Sequence, residues 1–442
     1  MKENKIRGKP RILFHIFVIL QIRVRCREIY LYIEYYFKGI CWKVINLIEH
    51  WLMEAVKGIG RFFLNPLVYW SILLVIFSGY KRIKEERLDF GSKVFDVFSE
   101  WKGTHWIAII SGIIVSVITL GTGMVLNYET IIILSIITIL LSITISFTML
   151  SPIYTIGITY LLFLFLPYVW KDTELFGISF TLETNFTVLS ILLGLFLVVE
   201  AVLVKSMKRN RTYPSISLSR RGIWVGQHRL KRMAVIPFFM LIPTGNIVPI
   251  APYWPVVTFG DESFGIVLIP FIIGFDYIAK GHMPKQAAGK LSKYIMLLGL
   301  AIIAIAVGGI FIHWLSFVAL IVAILGKEYI HYRYRYGDKV RLPYFHPEND
   351  GLKIVSIIPG TPADRSGLLV GEIIAKVNGV RVNNVHQFYL ALQNSGAYFK
   401  LDVLDDNKEI RFVQGAYYEG EHHELGLLFS EKPHKKKMKK VN

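Results

Sequence analysis

Residues 351–379 read GLKIVSIIPGTPADRSGLLVGEIIAKVNG, and this stretch separates a small folded module from everything before it. Leu352, Ile354 and Ser356 alternate with Lys353, Val355 and Ile357 in a β-branched run that predicts a strand. Pro359-Gly360 ends the run. Thr361 is placed to cap a short helix starting at Pro362, a residue tolerated at the first helical position, and Gly367 is placed to stop it. A second strand follows Gly371, and Asn378-Gly379 has the composition of a two-residue hairpin turn with positive φ. Further on, Val385–Gln393 predicts a helix with Val385, Phe388 and Leu392 on one face. Leu401–Leu404, the turn Asp405–Lys408 and Glu409–Val413 predict another hairpin.

The rest of the chain is of another kind. Of its 442 residues 53% are hydrophobic, against about 45–50% apolar in an average soluble domain, and the mean hydropathy is +0.47. Several apolar runs approach the roughly 20 residues needed to span hydrocarbon. Helical spans are expected at roughly 62–80, 106–126, 130–150, 152–170, 186–204, 233–250, 264–279, 294–310 and 311–326. The fold class expected is therefore an α-helical polytopic membrane domain of about nine spans followed by a small α+β domain. Pro237, Pro243 and Pro249 mark the sixth span as kinked or re-entrant, because irregular backbone at membrane depth must be shielded by protein. The last two spans share one run, split at Gly308-Gly309 and His313-Trp314. Asn65-Pro66 marks a kink or the start of the first span.

The net charge is +18, which in such a chain is first a topology signal and an attraction to anionic lipid. Residues 205–232 hold Lys205, Lys208, Arg209, Arg211, Arg220, Arg221, Arg229, Lys231 and Arg232 with no acid, and 280–293 hold Lys280, Lys285, Lys290 and Lys293, again with no acid. Loops 127–130, 171–185 and 251–263 carry acids instead, among them Glu129, Asp172, Glu174, Glu183, Asp261 and Glu262. The positive-inside rule puts 81–105, 205–232, 280–293 and the module after Gly326 in the cytoplasm. No basic-aromatic RNA motif or DNA-reading helix is present, so no nucleic-acid partner is expected. Cys26 and Cys41 support neither a disulfide framework nor a metal site, and no cofactor is expected. Among polar residues in the spans, Thr138, Ser142 and Ser146 fall on one helical face as packing contacts. Glu200 and Asp276 are placed to reach Lys205 and Lys280.

Catalysis is not expected. A membrane zinc protease needs His-Glu-x-x-His on a helix, and His422-His423-Glu424-Leu425 lacks the second spaced histidine. A rhomboid-type Gly-x-Ser-Gly is missing too, since Ile109-Ile110-Ser111-Gly112 lacks the first glycine.

The Pro-Gly-Thr-Pro-Ala turn of 359–363, Gly367-Leu368, Gly371-Glu372-Ile373-Ile374 and Val377-Asn378-Gly379 resemble a bacterial PDZ domain over residues 343–430. Upstream, Phe62-Phe63-Leu64-Asn65-Pro66-Leu67-Val68-Tyr69-Trp70 and Gly79-Tyr80-Lys81-Arg82-Ile83-Lys84-Glu85-Glu86-Arg87 resemble the opening of the MinJ family, the division-site topology proteins of Gram-positive bacteria. That resemblance runs from about Met53 to Phe429. It implies an adaptor at septa and poles that links a DivIVA-like polar coiled-coil scaffold to MinD, holds the FtsZ inhibitor MinC away from mid-cell, and contacts other divisome membrane proteins. The alternative is a membrane transporter or lipid-handling protein with a regulatory PDZ domain.

The PDZ resemblance also implies a groove. Such domains bind by strand addition, and bacterial forms are often permuted. Leu425, Gly426, Leu427, Leu428 and Phe429 resemble the carboxylate loop and groove strand; the opposite wall would carry Val385, His386, Phe388 and Leu392. Phe388 and Leu392 read equally as core, and His386 as a solvated histidine or a reader of a peptide hydroxyl. The domain map is 1–52, a basic-aromatic extension that is either an interfacial helix or upstream of a start at Met53; 53–326, the membrane domain; 327–342, a basic linker; 343–430, the PDZ domain; and 431–442, a tail. Lys432, Lys435, Lys436, Lys437, Lys439 and Lys440 of that tail could sit near anionic lipid.

Overall fold

The computed structural model describes residue 42 and residues 48–169, 174–175, 178–179, 185–219, 221–247, 254–255, 263–394, 396, 398–418 and 424–435. Most of the 1–52 extension, both cysteines, most of the acidic loops and Lys436 to Lys440 lie outside the described residues.

The chain opens with α1 (Ile48–Leu64) and α2 (Pro66–Phe90), bent by 45° at Asn65. The Asn65 side chain accepts from Leu67 N and Pro66 takes the first helical position, so the expected Asn-Pro break is a capped restart. A 3-10 turn (Val97–Glu100) precedes α3 (His105–Thr122), followed by α4 (Tyr128–Ser142), a second 3-10 turn (Phe147–Leu150) and α5 (Pro152–Val169). A two-residue ladder (β1, Glu174–Leu175; β2, Ile178–Ser179) leads to α6 (Phe186–Lys205). Then come β3 (Tyr213–Leu218), β4 (Trp224–Ile247), β5 (Phe264–Ala279), α7 (Pro284–Gly308) and α8 (Trp314–Val340). The split expected at Gly308-Gly309 is where α7 stops. Thr138 and Ser142 lie on α4 as expected, but Ser146 falls past the helix end.

Four helical segments among the described residues are long and apolar enough to cross a membrane, and five if the bent pair counts as one. The helical spans expected at 233–250 and 264–279 are corrected: these runs are the paired strands β4 and β5. A continuous apolar run suits a strand buried on both faces as well as it suits a buried helix. The register runs unbroken from His228↔Ala279 to Ile242↔Gly265. At about 3.4 Å per residue this ladder exceeds the roughly 30 Å of a hydrocarbon core.

Open strand edges cannot face lipid, and groups from neighbouring elements bond to both edges of this hairpin. Along β4, Thr104 Oγ1 donates to Met233 O (3.2 Å), Thr119 Oγ1 to Phe239 O (2.6 Å), and Leu126 N to Leu241 O (3.0 Å), while Ser116 Oγ accepts from Phe239 N (2.8 Å). Phe239 therefore presents its backbone groups outward, and so does Pro237 two residues back. Pro237 opposes Pro270, so each proline sits where a missing N–H costs no ladder bond. Gly112 lets α3 come down on Pro237, since a Cβ there would lie 2.1 Å from Pro237 O. Along β5, Arg61 reaches Ile266 O (3.1 Å), Thr148 reaches Asp276 O (3.4 Å) and the Tyr334 hydroxyl reaches Ile278 O (3.0 Å).

The central helix α6 lies against the hairpin, with Phe196 stacked on Phe271 at 4.0 Å and edge-on to Phe238 at 5.1 Å. Glu200 on α6 is fully buried and pairs with Lys327 of α8, Ser151 Oγ (2.6 Å) and the Tyr277 hydroxyl (3.4 Å), not with Lys205. Asp276 pairs with Arg229 across the ladder at 2.5 Å rather than with Lys280. Both carboxylates take tertiary partners that no local spacing announces.

The 343–430 module contains β6 (Leu352–Lys353), β7 (Ser356–Ile357), α9 (Pro362–Arg365), β8 (Ile373–Val377), β9 (Val380–Arg381), α10 (Val385–Gln393), β10 (Tyr398–Leu404), β11 (Ile410–Ala416) and β12 (Leu427–Leu428). The sheet runs β11-β10-β8-β6 with β9 on β8, and β12 pairs with β7. Asn378 and Gly379 have φ of 49° and 85°, the hairpin turn expected. The first predicted strand is interrupted, giving β6 and β7.

Candidate functional site

The α10 helix starts where Asn384 accepts from Gln387 N, a cap that satisfies one of the free donors of its first turn. On the other side, β12 pairs with β7 through Leu427↔Ile357 and Leu428↔Ser356. The flanking bonds are Ile358 N to Gly426 O (2.9 Å) and Val355 N to Leu428 O (2.8 Å). Leu427 is therefore in a non-hydrogen-bonded position of the ladder, and its own N–H and C=O point away from β7. No other strand among the described residues pairs with that edge. This leaves a short open strand edge, the geometry that strand addition requires.

The sequence-derived residues come together as two walls. Phe388 of α10 meets Phe429 beyond β12 with ring centroids 5.2 Å apart. Phe388, Leu392, Leu425, Leu427 and Phe429 are all buried in one cluster, so they form the groove's floor and core, not its accessible lining. Val385 and Leu428 are half-buried and His386 is exposed. Leu428 turns its side chain toward Val94, Phe95 and Tyr213 of the membrane domain. Gly426, with φ of 77°, is needed by the fold itself: a Cβ would lie 2.4 Å from Thr361 Oγ1.

One residue escaped the sequence reading. Tyr389 lies one turn after Val385, is half-buried, and its phenol is pushed up by burial and then by the nearby Glu424 and Glu431 carboxylates. The i to i+4 spacing from Val385 on a groove-facing helix was the available signal.

The module is docked on the membrane domain, which the sequence did not announce. Arg209 makes a bidentate pair with Asp406 (2.6 and 2.8 Å) and donates Nε to Val370 O (2.6 Å). Asn210 binds Leu368 O (2.9 Å) and Val370 N (3.1 Å). His228, fully buried, sits between Thr212 Oγ1 (2.8 Å) and Val355 O (2.9 Å), and burial pushes its pKa down to about 4. Gly226 N donates to Phe345 O (3.0 Å), and beyond β12 His434 N and Lys435 N donate to Asp89 O and Leu88 O at the end of α2. Of the two lysines of the tail that are described, Lys432 and Lys435, both are exposed. Among the described residues no cluster of His, Cys, Asp and Glu could hold a metal ion.

Comparison with known proteins agrees with this architecture. A family model described as PDZ domain matches residues 353–404. The chain is 34% identical over 379 residues to the cell division topological determinant MinJ of Bacillus subtilis, covering 86% of this chain and 96% of that protein. It is 23% identical over 375 residues to the probable cell division topological determinant MinJ of Lacticaseibacillus paracasei, covering 83% and 96%. A putative serine protease, HhoA of Synechocystis, matches at 30% over 70 residues, only 15% of this chain and 18% of that protein. So short a match carries no protease activity with it. With a PDZ module on a membrane domain and this extent of identity, the chain belongs to the MinJ family of cell division topological determinants.

Proposed function

We propose that this protein is a membrane-anchored adaptor for division-site selection. It links a DivIVA-like polar scaffold to MinD, and through MinD keeps MinC from acting at mid-cell while blocking FtsZ rings near poles and new septa. The observation that carries the reading is the open β12 edge facing α10, on a module held to a membrane domain of the MinJ family. A partner's extended segment adds beside Leu427, with Val385, His386 and Tyr389 contacting its side chains. Affinity for such a segment is on the order of micromolar, about −8 kcal/mol, because a short peptide must offset its own ordering. The module and the basic 205–232 loop face the cytoplasm. Replacing two helical spans by one hairpin that crosses and returns leaves the alternation of basic and acidic loops intact.

The test is a binding titration of the full-length protein in nanodiscs against purified scaffold and MinD, alongside fluorescent-fusion imaging in dividing cells. Septal and polar signal with loss of scaffold binding in Val385→Arg supports the reading. Uniform membrane signal, or binding untouched by Val385→Arg, overturns the assignment to the groove. Impermeant thiol labelling of single cysteines at Ser215, in a background lacking Cys26 and Cys41, checks orientation; labelling from outside would reverse it.

A further inference from the structure

A cavity of about 880 Å³ lies where β4, β5, the far end of α8 and the linker after Arg341 converge. Two carboxylates line it, and both are engaged within the protein. Asp276 holds Arg229 at 2.5 Å, and Asp338 accepts from Lys280 N and Gly281 N, each at 2.9 Å, and contacts His282. Four cations around the same cavity, Arg221, Arg335, Lys339 and Arg341, have no hydrogen-bond or ion-pair partner among the described residues. Between them stand apolar side chains left largely open: Ile223, Ile278, Val340 and Leu342, the last 72% exposed.

Uncompensated cations beside open aliphatic surface suit one kind of ligand, an amphiphile with an anionic head. Arginine forks match phosphate oxygens, and basic pockets at the ends of membrane helices take lipid head groups. The depth agrees. The α8 helix is apolar at its start and carries exposed Tyr329, Tyr332 and Tyr336 on the same turns as the cavity-lining His331, Tyr334 and Arg335, the aromatic belt of a membrane interface.

We propose that this cavity is a binding site for an anionic phospholipid, with the head-group phosphate held by Arg335, Lys339 and Arg341 and the acyl chains laid along Ile278 and Leu342. The bound lipid would tie α8 to the linker that leads into the PDZ module, where Tyr344 N already bonds Lys280 O at 2.7 Å. The inference rests on the helices entering a bilayer and not on any partner of the groove.

The full chain in detergent micelles is titrated with tail-labelled phosphatidylglycerol, and unlabelled phosphatidylglycerol, phosphatidylcholine and inorganic phosphate are used as competitors. Only phosphatidylglycerol should displace the probe. Arg335→Gln/Lys339→Gln/Arg341→Gln should weaken binding at least tenfold, and Leu342→Ser, which keeps every cation, several-fold. Replacing the five lysines at 435, 436, 437, 439 and 440 by glutamine should leave it within twofold. Displacement by millimolar phosphate would make this a soluble-anion site, and equal displacement by phosphatidylcholine would remove the role of charge. Unchanged affinity in both cavity variants, or loss in the lysine variant, would move the lipid elsewhere. Scaffold binding by the same preparations, measured separately, keeps failure of this site distinct from failure of the groove.

Discussion

Two strand systems in this molecule treat their edges in opposite ways. The β4–β5 hairpin has outward N–H and C=O groups on both edges, at Met233, Phe239, Ile266, Asp276 and Ile278, met by Thr104, Ser116, Thr119, Arg61, Thr148 and Tyr334, and prolines stand where a donor would be left over. The β12 strand has Leu427 pointing its backbone groups at no other strand. Inside hydrocarbon an unmet backbone group costs several kcal/mol, whereas at a watery surface the same group is solvated and available. The difference separates a strand edge taken up by the rest of the fold from one left open.

The sealed region should be far more sensitive to small changes than the open one. The largest effect is expected at the charge pair beside the hairpin. Glu200→Gln leaves Lys327, 1% exposed, as a buried cation without its counter-charge, and should lower stability by about 3–5 kcal/mol. The double variant Glu200→Gln/Lys327→Met should regain most of it, as read by thermal unfolding in nanodiscs. A silent single variant would refute the burial of this pair. Gly112→Val should cost about 3 kcal/mol, since its side chain meets Pro237 O and lifts α3 from the β4 edge. Thr119→Val, which orphans Phe239 O, should cost about 1–3 kcal/mol. If Gly112→Val unfolds at the wild-type temperature, α3 does not seal that edge.

The junction between the two regions should respond to pH. His228 has its pKa lowered from 6.5 to about 4 when docked. Below 6.5 the released imidazole binds a proton that the docked one refuses, so docking weakens as pH falls toward about 4, by at most about 3 kcal/mol. Hydrogen exchange of 354–358, corrected for intrinsic rate, should speed up between pH 7 and 5, and His228→Phe should flatten the response. A flat wild-type profile would place His228 outside the dock. The smallest stability effect belongs to the open edge. Val385→Arg should shift stability by less than about 0.5 kcal/mol while lowering partner affinity about tenfold. Equal losses in both would mean that α10 is a structural wall only.

The PDZ module was legible because its signals are local. Pro359-Gly360, Gly367 and Asn378-Gly379 each demand a backbone conformation that few other residues supply, and each is found doing so. The hairpin was not legible, because Val235 to Ile242 and Ile266 to Ile273 are apolar on both strand faces and lack the alternation that separates a strand from a helix. Pro237 was the clue: with Pro243 and Pro249 it suggested a kinked or re-entrant span, and only its cross-strand pairing with Pro270 reveals an edge. The β12 strand was suggested by the PDZ resemblance, and the α10 helix by the spacing of Val385, Phe388 and Leu392. What could not be read was depth, so Phe388 and Leu392 lie in the core and Tyr389 was passed over. Glu200 and Asp276 were matched to neighbours in sequence, whereas their partners come from α8 and β4.

The permuted position of β12 also bears on the order of synthesis. It follows every membrane helix, the hairpin and all other strands of its module in the chain. While the earlier elements emerge and insert, Ile357 has no β12 to pair with and the groove has only its α10 wall. A nascent chain therefore lacks this strand edge. The edge is completed only after the apolar helices and the hairpin have been made, and the residues that complete it are those whose neighbours at 434–435 fasten to the end of α2. Formation of the edge is thereby a late event in biogenesis, set by chain order.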